Sequence, residues 1–203
     1  MRLSAVNIGR PEPIESKDGA SAINKKSQSG AVRIAALGPV GDTVVDTDNH
    51  GGPDQAVYVL GQADYDYWAQ DLGRALSAGI LGENLLIDGL SSEGICVGDR
   101  LAVGEVVLEV TSPRIPCVVL ARWMGDMTLP KRFIRAQHPG FYCRVIREGE
   151  VAAGQAVTLT PFEGARVSVV EIMHWVADGS DKAAARHFLD APVHHKLRDD
   201  LAG

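Results

Sequence analysis

The residues best placed to do chemistry lie in one short stretch, Thr111-Ser112-Pro113-Arg114-Ile115-Pro116-Cys117. Pro113 and Pro116 fix φ on either side of Arg114 and bias Ser112 and Ile115 toward extended backbone. A turn stiffened in this way presents one guanidinium and one thiol. A neighbouring cation favours the thiolate over the thiol, whose free pKa is about 8.5. A thiolate is a soft ligand for a transition metal. Cys117 is therefore a candidate metal ligand, and Arg114 a candidate grip on an anionic part of the same cofactor. A lone cysteine also fits a small buried hydrophobe, and a single thiol lacks the paired spacing of a zinc site.

Three further groups qualify. His50 and Asp54 flank paired glycines in Asp48-Asn49-His50-Gly51-Gly52-Pro53-Asp54-Gln55-Ala56. Paired glycines let backbone approach a ligand closely or take up positive φ, and histidine moves protons near neutral pH. Lys25 and Lys26 lie in a polar loop that runs to about Gly30. They read either as solvated charge or as point charges for phosphate. Glu83 and Asn84 follow Gly82 and precede an apolar run. They either close a turn or reach into a pocket as acceptor and amide. His194 and His195 are adjacent, and neighbours on a helix point apart, which argues against a shared metal.

The elements that must position these groups are mostly short strands: Leu3 to Ile8, Ala31 to Leu37, Ala56 to Leu60, Leu85 to Ile87, Val106 to Val110, Phe141 to Ile146 and Gly154 to Leu159. Thr43 to Val45 continues in extended form, and Glu148 to Glu150 reads as a hairpin-like turn. Tyr65, Trp68, Leu72 and Leu76 recur at near-helical spacing, which predicts a helix over Gln62 to Leu76. Further helices are expected from Val118 to Met124 and over Lys131 to Gln137. Many short strands between Gly turns predict a mainly β fold with some α, a β-barrel rather than a doubly wound sheet.

After Pro161 the pattern changes. Ser168 and Glu171 fit a capping box opening a helix that Gly179 ends. A second helix is expected from Asp181 to Leu189, and Pro192 is placed to start a third. Residues 1–162 are thus expected to form the barrel and residues 163–203 a small three-helix appendage.

Composition narrows the function classes. The chain has 203 residues, a net charge of −6 and no block of like charges, which argues against nucleic-acid or anionic-membrane partners. The tail lacks the basic face of a DNA reader. No apolar run reaches the length of a membrane span. The three cysteines, Cys96, Cys117 and Cys143, form no CxxC pair, so a reducing cytoplasm is the expected compartment. Rossmann and P-loop glycine signatures are absent.

Several stretches together resemble the MOSC domain, named for the C-terminal region of molybdenum cofactor sulfurases, and most closely its small YiiM-like members. They are Val6-Asn7-Ile8-Gly9-Arg10, His50-Gly51-Gly52-Pro53-Asp54-Gln55-Ala56, Gly82-Glu83-Asn84-Leu85, Pro113-Arg114-Ile115-Pro116-Cys117 and Phe141-Tyr142-Cys143-Arg144-Val145. The three-helix tail is similar to the 3-alpha segment of that subgroup. The resemblance implies a MOSC-type β-barrel, a bound molybdenum cofactor and Cys117 as the thiolate on the metal. It implies a cofactor-binding set of Ser21, Lys25, Glu83, Asn84, Arg114 and Arg144, with His50 or Asp54 supplying or orienting a proton. Two departures stand out. The family often has Thr-Gly-Ile-x-Lys where this chain has Ser21-Ala22-Ile23-Asn24-Lys25, and often has Lys where Gln55 stands.

The implied activity is reduction of an N-hydroxylated compound, such as an N-hydroxylated purine base or an amidoxime, to the amine or amidine. Electrons would come from a partner, a ferredoxin or flavoprotein reductase, because the chain has no iron–sulfur spacing of its own. The alternative is a non-catalytic carrier of molybdenum cofactor or of sulfur held on Cys117. Oligomeric state is left open.

Overall fold

The computed structural model describes residues 1–178 and 181–203. The described residues form thirteen strands and five α-helices. The strands are β1 (Arg2–Gly9), β2 (Glu12–Pro13), β3 (Ala20–Ser21), β4 (Lys25–Ser27), β5 (Val32–Ala35), β6 (Gly38–Pro39) and β7 (Val57–Gly61). There follow β8 (Leu85–Asp88), β9 (Arg100–Val103), β10 (Val106–Pro113), β11 (Phe141–Arg147), β12 (Gly149–Val151) and β13 (Val157–Thr160). The helices are α1 (Gln62–Asp71), α2 (Val118–Met124), α3 (Leu129–Arg135), α4 (Val169–Ala177) and α5 (His195–Ala202).

Eight strands form one mixed sheet in the order β13-β9-β10-β11-β7-β8-β1-β4, and only β7 and β8 run parallel. The expected barrel is not closed by ladder pairing. Instead, a single Arg2–Ala156 bridge and bonds such as Leu3 N to Gln155 O (2.9 Å) tie the start of β1 to the approach of β13. Every residue of β7 is buried, as expected of a strand covered on both faces. One face packs against Leu3, Ile34, Val59, Leu101, Leu108 and Phe141. The other receives α1, α2 and α3, where Trp68 stacks on Phe133 with centroids 4.5 Å apart.

Several boundaries differ from the sequence reading. α1 stops at Asp71, so Leu72 and Leu76 pack from a loop. β10 runs on through Pro113, with register shifts at Val107/Leu108 and Val110/Ser112, and only Arg114 to Cys117 lies outside strand and helix. Residues 43–45 form no strand. Gly149–Val151 is not a turn but a strand paired with β5.

The tail packs a third core, in which Val167, Ile172, Phe188, Val193 and Leu201 close over Val97 of the preceding residues. Ser168 caps α4 as expected, accepting from Glu171 N at 3.0 Å. The Gly179 stop lies outside the described residues. The second predicted helix reduces to a 3₁₀ segment, Arg186–Asp190. The third starts at His195 rather than Pro192, because His194 takes the cap and accepts from Lys196 N at 3.0 Å.

Candidate functional site

A cavity of about 640 Å³ opens between the loops that follow β3, β6 and β10. Ser21, Lys25, His50, Asn84, Arg114 and Cys117, six of the predicted site residues, all line it. Asp54, Glu83 and Arg144 do not.

Cys117 occupies the N-cap position of α2 with extended backbone, φ −110° and ψ 166°. Its thiol is part-buried. Burial alone would push its pKa up. His50, Arg114 and the Leu120 amide outweigh that and bring it down to about 6. At neutral pH the group is therefore mostly thiolate, the form that binds metal and attacks electrophiles. His50 Nδ1 lies 3.6 Å from Asp46 Oδ2, close enough for charge attraction and too long for a hydrogen bond.

Arg114 is 4% exposed, and its Nη1 has no hydrogen-bond partner. No carboxylate pairs with it among the described residues. Its charge instead rests over aromatic faces, 5.1 Å from the Phe133 centroid and 5.8 Å from that of Tyr58. Cation–π contact at a desolvated site contributes on the order of 2 kcal/mol, well short of compensating a buried charge. This guanidinium is incomplete until an anion meets it.

Lys25 is the opposite case. Its ammonium contacts both oxygens of Asp42, at 2.7 and 2.6 Å, with both side chains 9% exposed. Asp42 also accepts from Gly9 N at 2.6 Å and from Asn84 Nδ2 at 2.8 Å. Asn84 Oδ1 in turn accepts from Tyr58 N at 3.0 Å. Lys25 and Asn84 thus belong to a satisfied network that stiffens one wall, and the lysine charge is already neutralised. Ser21 Oγ accepts from Ile23 N at 3.2 Å.

Glu83 sits behind that wall, fully buried. One carboxylate oxygen accepts from Gly79 N, and Oε2 has no partner. Gly79 must be glycine: its φ is +90°, and a Cβ there would stand 2.3 Å from Lys25 O. Burial raises the Glu83 pKa from 4.5 to about 7, against the pull of the Gly79, Glu83 and Leu81 amides and Lys25. The folded chain then holds this proton to higher pH than the unfolded chain, so stability falls as pH rises from about 4.5 to about 7. Glu83→Gln keeps the acceptor for Gly79 and removes the titration. Denaturant unfolding should show this variant more stable than the parent by about 1–3 kcal/mol at pH 8 and equal to it near pH 4. Equal curves at both pH values would place the carboxyl in a less desolvated setting.

Asp54 and Arg144 meet outside the cavity. Arg144 Nε donates to Asp54 Oδ1 at 2.9 Å, and Nη2 donates to Pro192 O at 3.1 Å. Asp54 Oδ2 accepts from His195 N at 2.8 Å and lies 3.0 Å from its Nδ1. Asp54, His194 and His195 bring ligand-type atoms within 4.8 Å of one another. They still make a poor metal site. The two imidazoles stack at 4.4 Å, so their in-plane lone pairs run side by side. His194 Nδ1 already accepts from Lys196 N, which leaves the proton of the neutral ring on Nε2.

Asp42, Asp46, Tyr58 and Tyr142 are among the cavity residues that the sequence does not single out for a site. Tyr58 and Tyr142 are cross-strand partners of β7 and β11, with rings 5.3 Å apart. An aromatic at one position of each strand was the available signal. Gln55, seen only as a departure from a family lysine, also lines the cavity and leaves its buried Oε1 without a partner.

A family model described as MOSC domain matches residues 46–158. The protein YflK of Bacillus subtilis, described as uncharacterized, is 37% identical over 157 residues, which is 76% of this chain and 71% of that protein. A Gibberella moniliformis protein described as a reductase is 34% identical over 144 residues, of which the chain spans only 25%. The crystal structure of YiiM from Geobacillus stearothermophilus matches with a TM-score of 0.82 at 26% identity, covering 99% of this chain and 97% of that one.

Proposed function

The chain belongs to the MOSC domain family, and from that premise we propose that it binds a molybdenum cofactor through Cys117 and reduces N-hydroxylated compounds with electrons from a partner protein. The observation that carries the proposal is the pairing, in one cavity, of an acidic thiol with a buried guanidinium that no carboxylate meets among the described residues. The residues suit such a group. Cys117 offers a soft donor that is already deprotonated at neutral pH. Arg114 demands an anion, as a pterin phosphate provides. About 640 Å³ falls in the ordinary range of a cofactor pocket.

When bound, the cofactor supplies the two-electron chemistry that turns an N–OH group into an amine and water. The chain supplies position and charge. Arg114 anchors the anionic end, with Ser21 and Gln55 as nearby polar contacts. Lys25, Asp42 and Asn84 keep one wall rigid and nearly neutral, so among the described residues Arg114 is a cation of the site that no carboxylate neutralises. His50, with Asp46 beside it, holds a proton where the N–OH oxygen leaves. Glu83 braces the loop behind Lys25, while Asp54 and Arg144 act from outside the cavity. The similarity to a protein described as a reductase supports the redox reading, and it covers only a quarter of that protein.

The same thiol could instead carry sulfur as a persulfide, so the test must separate the two. Protein made in a cofactor-competent host should contain molybdenum and pterin in near-equal amounts. It should then convert an N-hydroxylated base to its amine with an artificial electron donor. Protein that carries labile sulfane sulfur on Cys117, with neither molybdenum nor turnover, would replace this function with the carrier role.

A further inference from the structure

We propose that the C-terminal segment is a latch that holds His50 in the cavity, with His195 and Lys196 as its positioning residues. The loop that carries His50 runs from Asp46 to Gln55. Its restraints apart from α5 are local or exposed: His50 N donates to Asp46 O at 3.0 Å, Asn49 bonds Asp46, Gln55 N donates to Gly52 O at 3.1 Å, and exposed Lys17 Nζ reaches Asp48 Oδ2 at 2.6 Å. Beyond His50 come Gly51 and Gly52, at φ 75° and 80°, a pivot with little intrinsic stiffness. Both ends of this stretch are held by α5. On the near side, Lys196 Nζ donates to Asp48 O at 2.8 Å. On the far side, His195 binds Asp54 Oδ2 through its backbone and its ring, at 2.8 and 3.0 Å.

The latch itself is anchored to the strand that leads to Cys117. His194 N donates to Thr111 O at 3.0 Å, and Thr111 Oγ1 donates to Asp54 O at 2.6 Å. His194 is 4% exposed. α5 therefore refers both sides of the site, the His50 loop and the β10 end, to one rigid point. The tail could otherwise be taken as an accessory to the barrel. Its first turn instead fixes the distance between the proton-carrying ring and the thiolate. The loop restraint follows from the hydrogen bonds alone; its effect on turnover rests on the proposed function.

The test compares the full-length parent with the double variant His195→Ala/Lys196→Ala. Asp48 O and Asp54 Oδ2 lose their α5 side-chain partners, while the core residues of the tail stay in place. Amide hydrogen exchange at His50 to Gln55 should accelerate at least tenfold, with the β10, β11 and α4 amides unchanged. His195→Asn/Lys196→Arg, which keeps a donor at each position, should restore protection. In the cofactor-loaded enzyme the alanine variant should lose kcat by about tenfold at unchanged KM, because His50 acts on the chemical step. Unchanged exchange at His50 to Gln55, or faster exchange there only together with α4, would overturn the latch. Since exchange needs no turnover, a chain without molybdenum would sink the proposed function and leave this inference standing or falling by itself.

Discussion

Cys117→Ser is expected to fold normally and to lose at least about 100-fold in both molybdenum retention and turnover. Substitutions one shell outside a metal already cost 10–100-fold, and this one removes the proposed ligand itself. Serine is nearly the same size, so packing changes little, and it is a better N-cap than cysteine for α2. Its hydroxyl, however, does not ionise near neutral pH, so His50 and Arg114 would no longer face an anion. The folded state then forfeits what it gains from lowering the thiol's pKa, so stability should fall by about 1 kcal/mol at pH 7, partly offset by the better cap, while metal content collapses. Cys143→Ser is the informative contrast. Cys143 is fully buried in β11, and burial pushes its thiol far above the usual range. A hydroxyl there should cost about 1–3 kcal/mol of stability and leave metal content alone. Thermal melts, metal analysis and an N-hydroxylated substrate assay on both variants check the pair. Parent levels of molybdenum and rate in Cys117→Ser would remove Cys117 from the metal.

The contrast between these two cysteines also shows what could be read from the chain alone. Cys117 was legible because two prolines and an arginine surround it and the motif is local. Glycine and proline punctuation likewise located β7, β8, β11 and the His50 loop to within a few residues. Long-range partners were not legible. Lys25 reads as a free cation until the fold brings up Asp42, which sits 17 positions away. Asp54 shares a motif with His50, yet the 3₁₀ turn at Pro53–Gln55 carries it away from the cavity toward Arg144 and α5. No pattern in Pro53-Asp54-Gln55 states that rotation, and no local pattern links the loop to residues 195 and 196. The tail was half legible. The Ser168 cap is a local device and held. The preference of proline for a first helical position was overridden when His194 became the cap. That the sheet stays unclosed, with a single bridge from Arg2 to Ala156, turns on a contact between residues far apart in the chain that strand patterns cannot express.

Arg114→Met should make the cofactor-free protein more stable and the cofactor-loaded protein harder to obtain. Most substitutions of buried residues destabilise, so the sign is diagnostic. Methionine keeps the length and much of the apolar contact with Phe133 and Tyr58 and removes a charge that no carboxylate pairs with among the described residues. What is lost is cation–π attraction, on the order of 2 kcal/mol at most. What is removed is the desolvation of a buried guanidinium that the Cys117 thiolate and the Tyr142 hydroxyl only partly offset, several kcal/mol even after relaxation. The difference favours the variant by about 1–3 kcal/mol in the empty state. In the loaded state the balance reverses, because an anionic group in the cavity would lose its charge-assisted bonds and the thiolate of Cys117 would lose a supporting cation. Cofactor content should fall at least about tenfold, the loss of one charged hydrogen bond. Denaturant unfolding of both proteins from a cofactor-deficient host, set beside metal and pterin content from a competent one, measures the two signs separately. A less stable empty variant with parental cofactor content would mean that Arg114 is satisfied by the protein itself and that the cavity awaits no anion at that point.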